Sequence, residues 1–297
     1  MAALRLPEPL LVAGAEAAGE AWFRLTPRRA SLARANLRRV CRTLAADGRA
    51  TARIRRAAED ERALTALVRS AYRHAARYYL EVARTPAFDR AYLDRHLVVE
   101  TPELLAHSLR PGRPLIVVGL HFGALEVPAV LVAQMLGTAV TAPMEAVPDE
   151  GLQAWFVRSR SRVGVRIVSL AAARRELAAA LARDEPVGLV ADRDLTGGGV
   201  EIPFFGHPAR MPVGPALLAV ETGVPVVVGG VRRSGRRGYR GRLIAVETPA
   251  DGTRRERVTG LARAMAAAFE SIIADAPDQW WACFHPVWPD IRPEPGT

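Results

Sequence analysis

Hydrophobic and polar positions change their rhythm near residue 100. Before it, apolar residues recur at helical spacing over residues 10–25, 30–46 and 60–82, with Thr26-Pro-Arg-Arg29 breaking the first two apart. In the third, Leu64, Leu67, Val68, Ala71, Ala75 and Tyr79 fall to one side and predict a core face. From residue 114 the pattern becomes short apolar runs at 114–120, 139–143, 165–170, 186–191 and 225–231. Helical stretches separate them at 122–136, 152–163, 171–182 and 213–222. Strands alternating with helices predict an α/β fold, a mostly parallel central sheet flanked by helices, preceded by an N-terminal helical region. A more polar strand, 239–247, follows the turn Ser234-Gly-Arg-Arg-Gly238 and belongs at an edge or in antiparallel pairing. A last helix, 254–273, leads into a Trp-rich tail, and no internal repeat is present. The expected organisation is a helical, membrane-apposed region over 1–100 and an α/β core over 101–297.

Composition narrows the chemistry. With 297 residues, 49% of them hydrophobic, the chain can bury a large core. All 41 basic residues are Arg, which excludes a P-loop Lys and Schiff-base chemistry. Cys41 and Cys283 are too few and too far apart for a disulfide framework or a metal cluster, so a reducing cytoplasm and no metal are expected. No apolar run reaches the ~18 residues of a spanning helix, which predicts a soluble or peripheral protein. On the second helix, Arg34, Arg38, Arg39 and Arg42 lie opposite Leu32, Ala33, Leu37, Val40 and Leu44. That face suits an anionic membrane surface, and equally an ordinary solvated face. The net charge of +10 would also attract nucleic acid, but no nucleic-acid-binding module is present and the Arg residues are dispersed, so no nucleic acid is expected.

Candidate chemistry centres on His121, which ends the run 114–120, and Glu126 five positions on. Inside one helix their side chains would diverge by about 140°. A strand-end His facing the first turn of the next helix allows Glu126 to point back and accept the Nδ1 proton, giving a base with its orienter. The other reading makes Glu126 a support of the helix N-terminus and His121 a satisfied buried residue. The pattern leaves both open. Chemistry in parallel sheets gathers at the C-terminal ends of strands, and there the run 186–191 leads into Asp192-Arg-Asp194, three glycines, then Glu201, Phe204, Phe205 and Arg210. Charges at a strand exit need partners or a ligand; an internal ion pair of Asp192 with Arg193 or Arg210 is the alternative. Arg158 and Arg162, at i and i+4, share a helix face as a phosphate clamp or as solvated surface. No Gly-x-Ser-x-Gly nucleophile elbow is present.

Three blocks together carry a family resemblance. His121-Phe-Gly-Ala-Leu-Glu126 resembles the His-(four residues)-Asp/Glu signature of glycerolipid acyltransferases, and His-Phe-Gly is similar to their late lipid A branch. Asp192-Arg-Asp194 with Gly199 to Ala219 resembles that branch's second block in the form seen in actinobacterial phosphatidylinositol mannoside acyltransferases. Trp280-Trp-Ala-Cys-Phe-His285 with Trp288 is similar to the closing block. The resemblance implies a glycerolipid acyltransferase-like fold and an O-acyltransferase moving a long-chain acyl group from acyl-CoA, acyl carrier protein being the rival donor. The implied acceptor is a hydroxyl of a membrane glycolipid, a mannosylated phosphoinositide, with another lysophospholipid or glycolipid as the alternative. No cofactor is implied beyond acyl-CoA as substrate, and the place of action is the cytoplasmic face of the membrane, peripherally. His121 would be the general base, with Glu126 fixing its tautomer and stabilising the imidazolium. Arg158, Arg193 and Arg210 would bind phosphate, Asp192 would line the substrate site, and Glu201 would hold a sugar hydroxyl.

Overall fold

Caps written into the sequence start several helices. Thr51, Asp60, Asp89 and Asp149 each accept a hydrogen bond from a backbone N–H two or three residues on, and Thr253 with Glu256 forms a capping box. In the computed structural model, which describes residues 7–194 and 197–291, the first half carries α1 (Glu8–Leu25), α2 (Pro27–Ala46), α3 (Ala52–Glu59), α4 (Glu61–Arg84), α5 (Arg90–His96) and α6 (Pro102–Ser108). The rest carries α7 (Glu126–Leu136), α8 (Glu150–Ser161), α9 (Ala173–Leu181), α10 (Gly214–Thr222) and α11 (Arg254–Asp275). Among the described residues no helix is long and apolar enough to cross a membrane.

The strands are β1 (Leu97–Val99), β2 (Ile116–Gly119), β3 (Val140–Met144), β4 (Val165–Ser169), β5 (Val187–Val190), β6 (Val200–Phe204), β7 (His207–Met211), β8 (Val226–Ser234) and β9 (Gly238–Val246). Seven form one sheet in the order β1-β9-β8-β2-β5-β3-β4, parallel throughout except for the β8/β9 pair. The fold is thus the α/β arrangement the periodicity predicts, and β9 is antiparallel to β8 as its polar character suggests. The segment after Gly199 is a separate two-stranded hairpin of β6 and β7. Leu195 and Thr196, within the charged exit stretch, lie outside the described residues.

One buried cluster joins Leu37 and Leu44 of α2, Leu64 and Val68 of α4, Ile116 and Val118 of β2, Phe269 and Ile273 of α11, and Trp280 and Trp288. The N-terminal helices therefore share the core of the sheet. The stripe on α4 runs through Ala75, Tyr78 and Val82; Tyr79, expected on it, is 56% exposed. The basic face of α2 is also not free. Arg34 and Arg38 pair with Glu61, and Arg39 pairs with Asp290, leaving Arg42 exposed.

Candidate active site

Register brings the site together. Gly119 of β2 is paired with Val190 of β5, and the backbone bond from Ala191 N–H to the Gly119 carbonyl continues the ladder. Two residues beyond each strand stand His121 and Asp192, neighbours on the same end of adjacent parallel strands. His121 Nδ1 lies 2.6 Å from Asp192 Oδ1, and the His121 backbone N–H donates to Oδ2 at 2.9 Å. The Trp280 indole donates to the same Oδ2 at 2.9 Å. Asp192 is wholly buried, whereas the His121 side chain keeps 17% exposure. Burial alone would raise the Asp192 pKa, but the charge and hydrogen bonds of His121 and the indole of Trp280 outweigh it and hold the carboxyl below its usual range. A carboxylate accepting from Nδ1 fixes the tautomer, so the lone pair sits on Nε2. The edge of the Trp281 ring packs against the imidazole, centroids 4.7 Å apart.

The carboxylate that holds His121 Nδ1 is therefore Asp192 and not Glu126, which pairs with Arg160. Expecting α7 to begin at residue 122 was the source of that error. Phe122 instead bridges Trp280, Gly123 N–H donates to the Gln279 carbonyl, and Ala124 N–H donates to Val231. Gly123 takes φ +49°, and a Cβ there would stand 2.0 Å from the Val231 oxygen, so the turn requires glycine. α7 starts only at Glu126, whose carboxylate accepts from Arg160 Nη2 at 2.7 Å and Nε at 3.1 Å and from the Tyr78 hydroxyl at 3.4 Å. Arg160 also donates to Met144 Sδ. This buried pair ties the start of α7 to α8. From behind, Arg233 donates to the Gly123 carbonyl at 2.9 Å and is held in a bidentate pair by Glu81 at 2.7 Å. The N–H groups of residues 121–124 are all committed to partners within the protein.

Of the other sequence candidates, Arg193 stands half-buried next to Asp192. Arg158 and Arg162 are exposed on the surface of α8 and the turn after it, away from the inward-facing Arg160 between them. Glu201 and Arg210 are opposite each other on β6 and β7, both exposed. The Arg210 guanidinium donates to the Gly197 and Gly199 carbonyls at 3.0 and 3.2 Å, while Asp194 accepts from the N–H groups of the same two glycines. These side chains build the exit loop, and neither internal ion pair of Asp192 with Arg193 or Arg210 forms. The sequence gives no signal for Arg160 or Tyr78 as site residues, and offers Trp280 and Trp281 only as part of the closing block, without a role beside His121 and Asp192.

Comparison with known proteins places the chain in a family. The sequence pattern of the bacterial lipid A biosynthesis acyltransferases matches residues 1–289. A phosphatidylinositol mannoside acyltransferase of Mycolicibacterium smegmatis is 33% identical over 226 residues, 75% of this chain and 72% of that protein. Another of that name, from Mycobacterium tuberculosis, is 36% identical over 157 residues, 51% of this chain and 49% of its own length. This chain belongs to the bacterial lipid A biosynthesis acyltransferase family.

Proposed function

We propose that the protein transfers a long-chain fatty acyl group from acyl-CoA to a hydroxyl of a membrane glycolipid, a phosphatidylinositol mannoside, at the cytoplasmic face of the membrane. The observation that carries the reading is His121, its Nδ1 held by a buried carboxylate and its side chain still 17% exposed. An alcohol is far too weak an acid to ionise at neutral pH, so a base must take its proton as the C–O bond forms. His121 Nε2 takes that proton, and Asp192 stabilises the imidazolium. The tetrahedral adduct then collapses, the C–S bond breaks, and the imidazolium returns the proton to the departing thiolate. Direct transfer is favoured over an acyl-enzyme because both thiols are buried, Cys41 being pushed up to about 12 and Cys283 higher. Glu126 acts as a positioning residue, holding the turn through Arg160. Glu201, exposed on β6, is available to a sugar hydroxyl, and Arg193 to an anionic group. The names of the two relatives support the choice of acceptor.

Thiol release from palmitoyl-CoA tests this reading, with a mannosylated phosphatidylinositol or a plain lysophospholipid as acceptor and palmitoyl-acyl carrier protein as a second donor. Release that depends on the mannolipid and falls ~10²- to 10⁴-fold in His121→Ala is expected. Release with the lysophospholipid alone overturns the acceptor, preference for the carrier protein overturns the donor, and an unaffected His121→Ala overturns the mechanism.

A further inference from the structure

Beside the His121–Asp192 pair are two cations that no side chain neutralises directly. Arg29, in the first turn of α2, stacks over the rings of Trp22 at 5.2 Å and Phe284 at 5.5 Å, and its buried Nε has no hydrogen-bond partner. Arg193, directly after Asp192, makes no hydrogen bond or ion pair among the described residues; the exposed Glu145 and the already engaged Asp192 are the carboxylates whose charge reaches it.

A short 3₁₀ turn, Trp281–Phe284, relates these groups to the base. Side chains three apart in such a turn eclipse one another, about 6 Å apart along the axis. Trp281 packs against His121 and Phe284 lies under Arg29, so the two ends of this one turn touch the imidazole and the guanidinium. The placement is rigid. Asn36, two helical turns after Arg29 and on the same face of α2, donates to the Cys283 and His285 carbonyls at 2.7 and 2.8 Å. His285 reports where the two cations meet: burial, then Arg193, then Arg29 push its imidazole down to about 4.

We propose that Arg29 and Arg193 form a subsite for a phosphodiester, that of the acceptor lipid, next to the base. This assignment rests on the acyl-transfer reading. Two half-buried guanidinium groups that no carboxylate pairs with match the several oxygens of a phosphate better than a single oxyanion. The acceptor is the better source because its reacting hydroxyl must lie within hydrogen-bond reach of His121 Nε2, and only sugar rings separate that hydroxyl from the phosphodiester. The donor's phosphates stand at the far end of its pantetheine arm when the thioester is at the base.

Steady-state transfer by wild type, Arg29→Gln and Arg193→Gln tests the subsite, using a mannosylated phosphatidylinositol and an alkyl mannoside without phosphate, each with palmitoyl-CoA and with palmitoyl-pantetheine. Each substitution is expected to raise the KM for the phosphate-bearing acceptor ~10-fold or more, with little change in kcat and no comparable rise for the alkyl mannoside. Equal effects on both acceptors, a fall in kcat at constant KM, or no effect overturns the proposal. A KM rise confined to palmitoyl-CoA and absent with palmitoyl-pantetheine moves the phosphate to the donor and overturns the acceptor assignment. Calorimetric titration with glycerophosphoinositol decides the subsite even where the wild type transfers to neither acceptor, a result that would overturn the reaction and not the subsite. Binding retained in His121→Ala and lost in both Arg variants sustains it, and absence of binding to the wild type overturns it.

Discussion

His121 has the surroundings of a base, and its partner is a residue 71 positions away in sequence. Spacing offers Glu126 as one candidate orienter, because a carboxylate in the next turn is the nearest one a sequence can offer. The structure gives Glu126 a different partner, Arg160, and gives His121 a carboxylate with no exposure at all. His285 bears on stability. Its imidazole titrates near 4 when folded against an ordinary 6.5, so the unfolded chain takes up a proton that the folded one refuses between those values. Stability from this source is complete above 6.5 and falls as pH drops toward 4. His74, also pushed down by burial and by Arg233, acts in the same direction. Urea unfolding at pH 7 and pH 5 should therefore show a loss for the wild type that His285→Gln reduces; an identical loss in the variant would contradict this account.

At the scale of elements, the apolar runs marked β2, β3, β4, β5 and β8 in place and predicted their parallel character. Strand order was not readable. That β5 inserts between β2 and β3 depends on which faces pack, and this order alone sets Asp192 beside His121. β1, three residues long, was too short to leave a pattern. The start of α7 was misread for a related reason: backbone bonds to Gln279 and Val231, from distant segments, hold residues 123 and 124 out of the helix. Gly123 is where this matters most. Gly123→Ala would force a side chain into a left-handed φ and against the Val231 carbonyl, which should cost more than ~2 kcal/mol of stability and most turnover. Unchanged urea unfolding together with full activity would refute the role given to this turn.

On the whole molecule, the Arg residues of α2 look like a membrane face in the sequence but three of the four are answered by Glu61 and Asp290. Exposed apolar side chains lie elsewhere. Leu25 is 79% exposed one turn after Trp22, and Tyr79 packs near Trp22 and against Tyr78. Tyr78 contacts Trp281, which contacts His121, so a line of aromatic rings runs from this edge to the imidazole. Under the proposed function, Leu25→Ser with Tyr79→Ser should weaken sedimentation with anionic vesicles more than Arg34→Gln with Arg38→Gln, since exposed ion pairs contribute little. The reverse ranking would return the membrane contact to α2. Under the proposed function, orientation of His121 by Asp192 and not by Glu126 is read from the kcat for acyl transfer of purified Asp192→Asn beside Glu126→Gln, both checked for folding. A fall on the order of 10²- to 10⁴-fold is expected for Asp192→Asn. For Glu126→Gln a smaller loss is expected, with its main cost, about 3 kcal/mol, in stability. Near-normal turnover by folded Asp192→Asn, with Glu126→Gln inactive, would contradict orientation by Asp192.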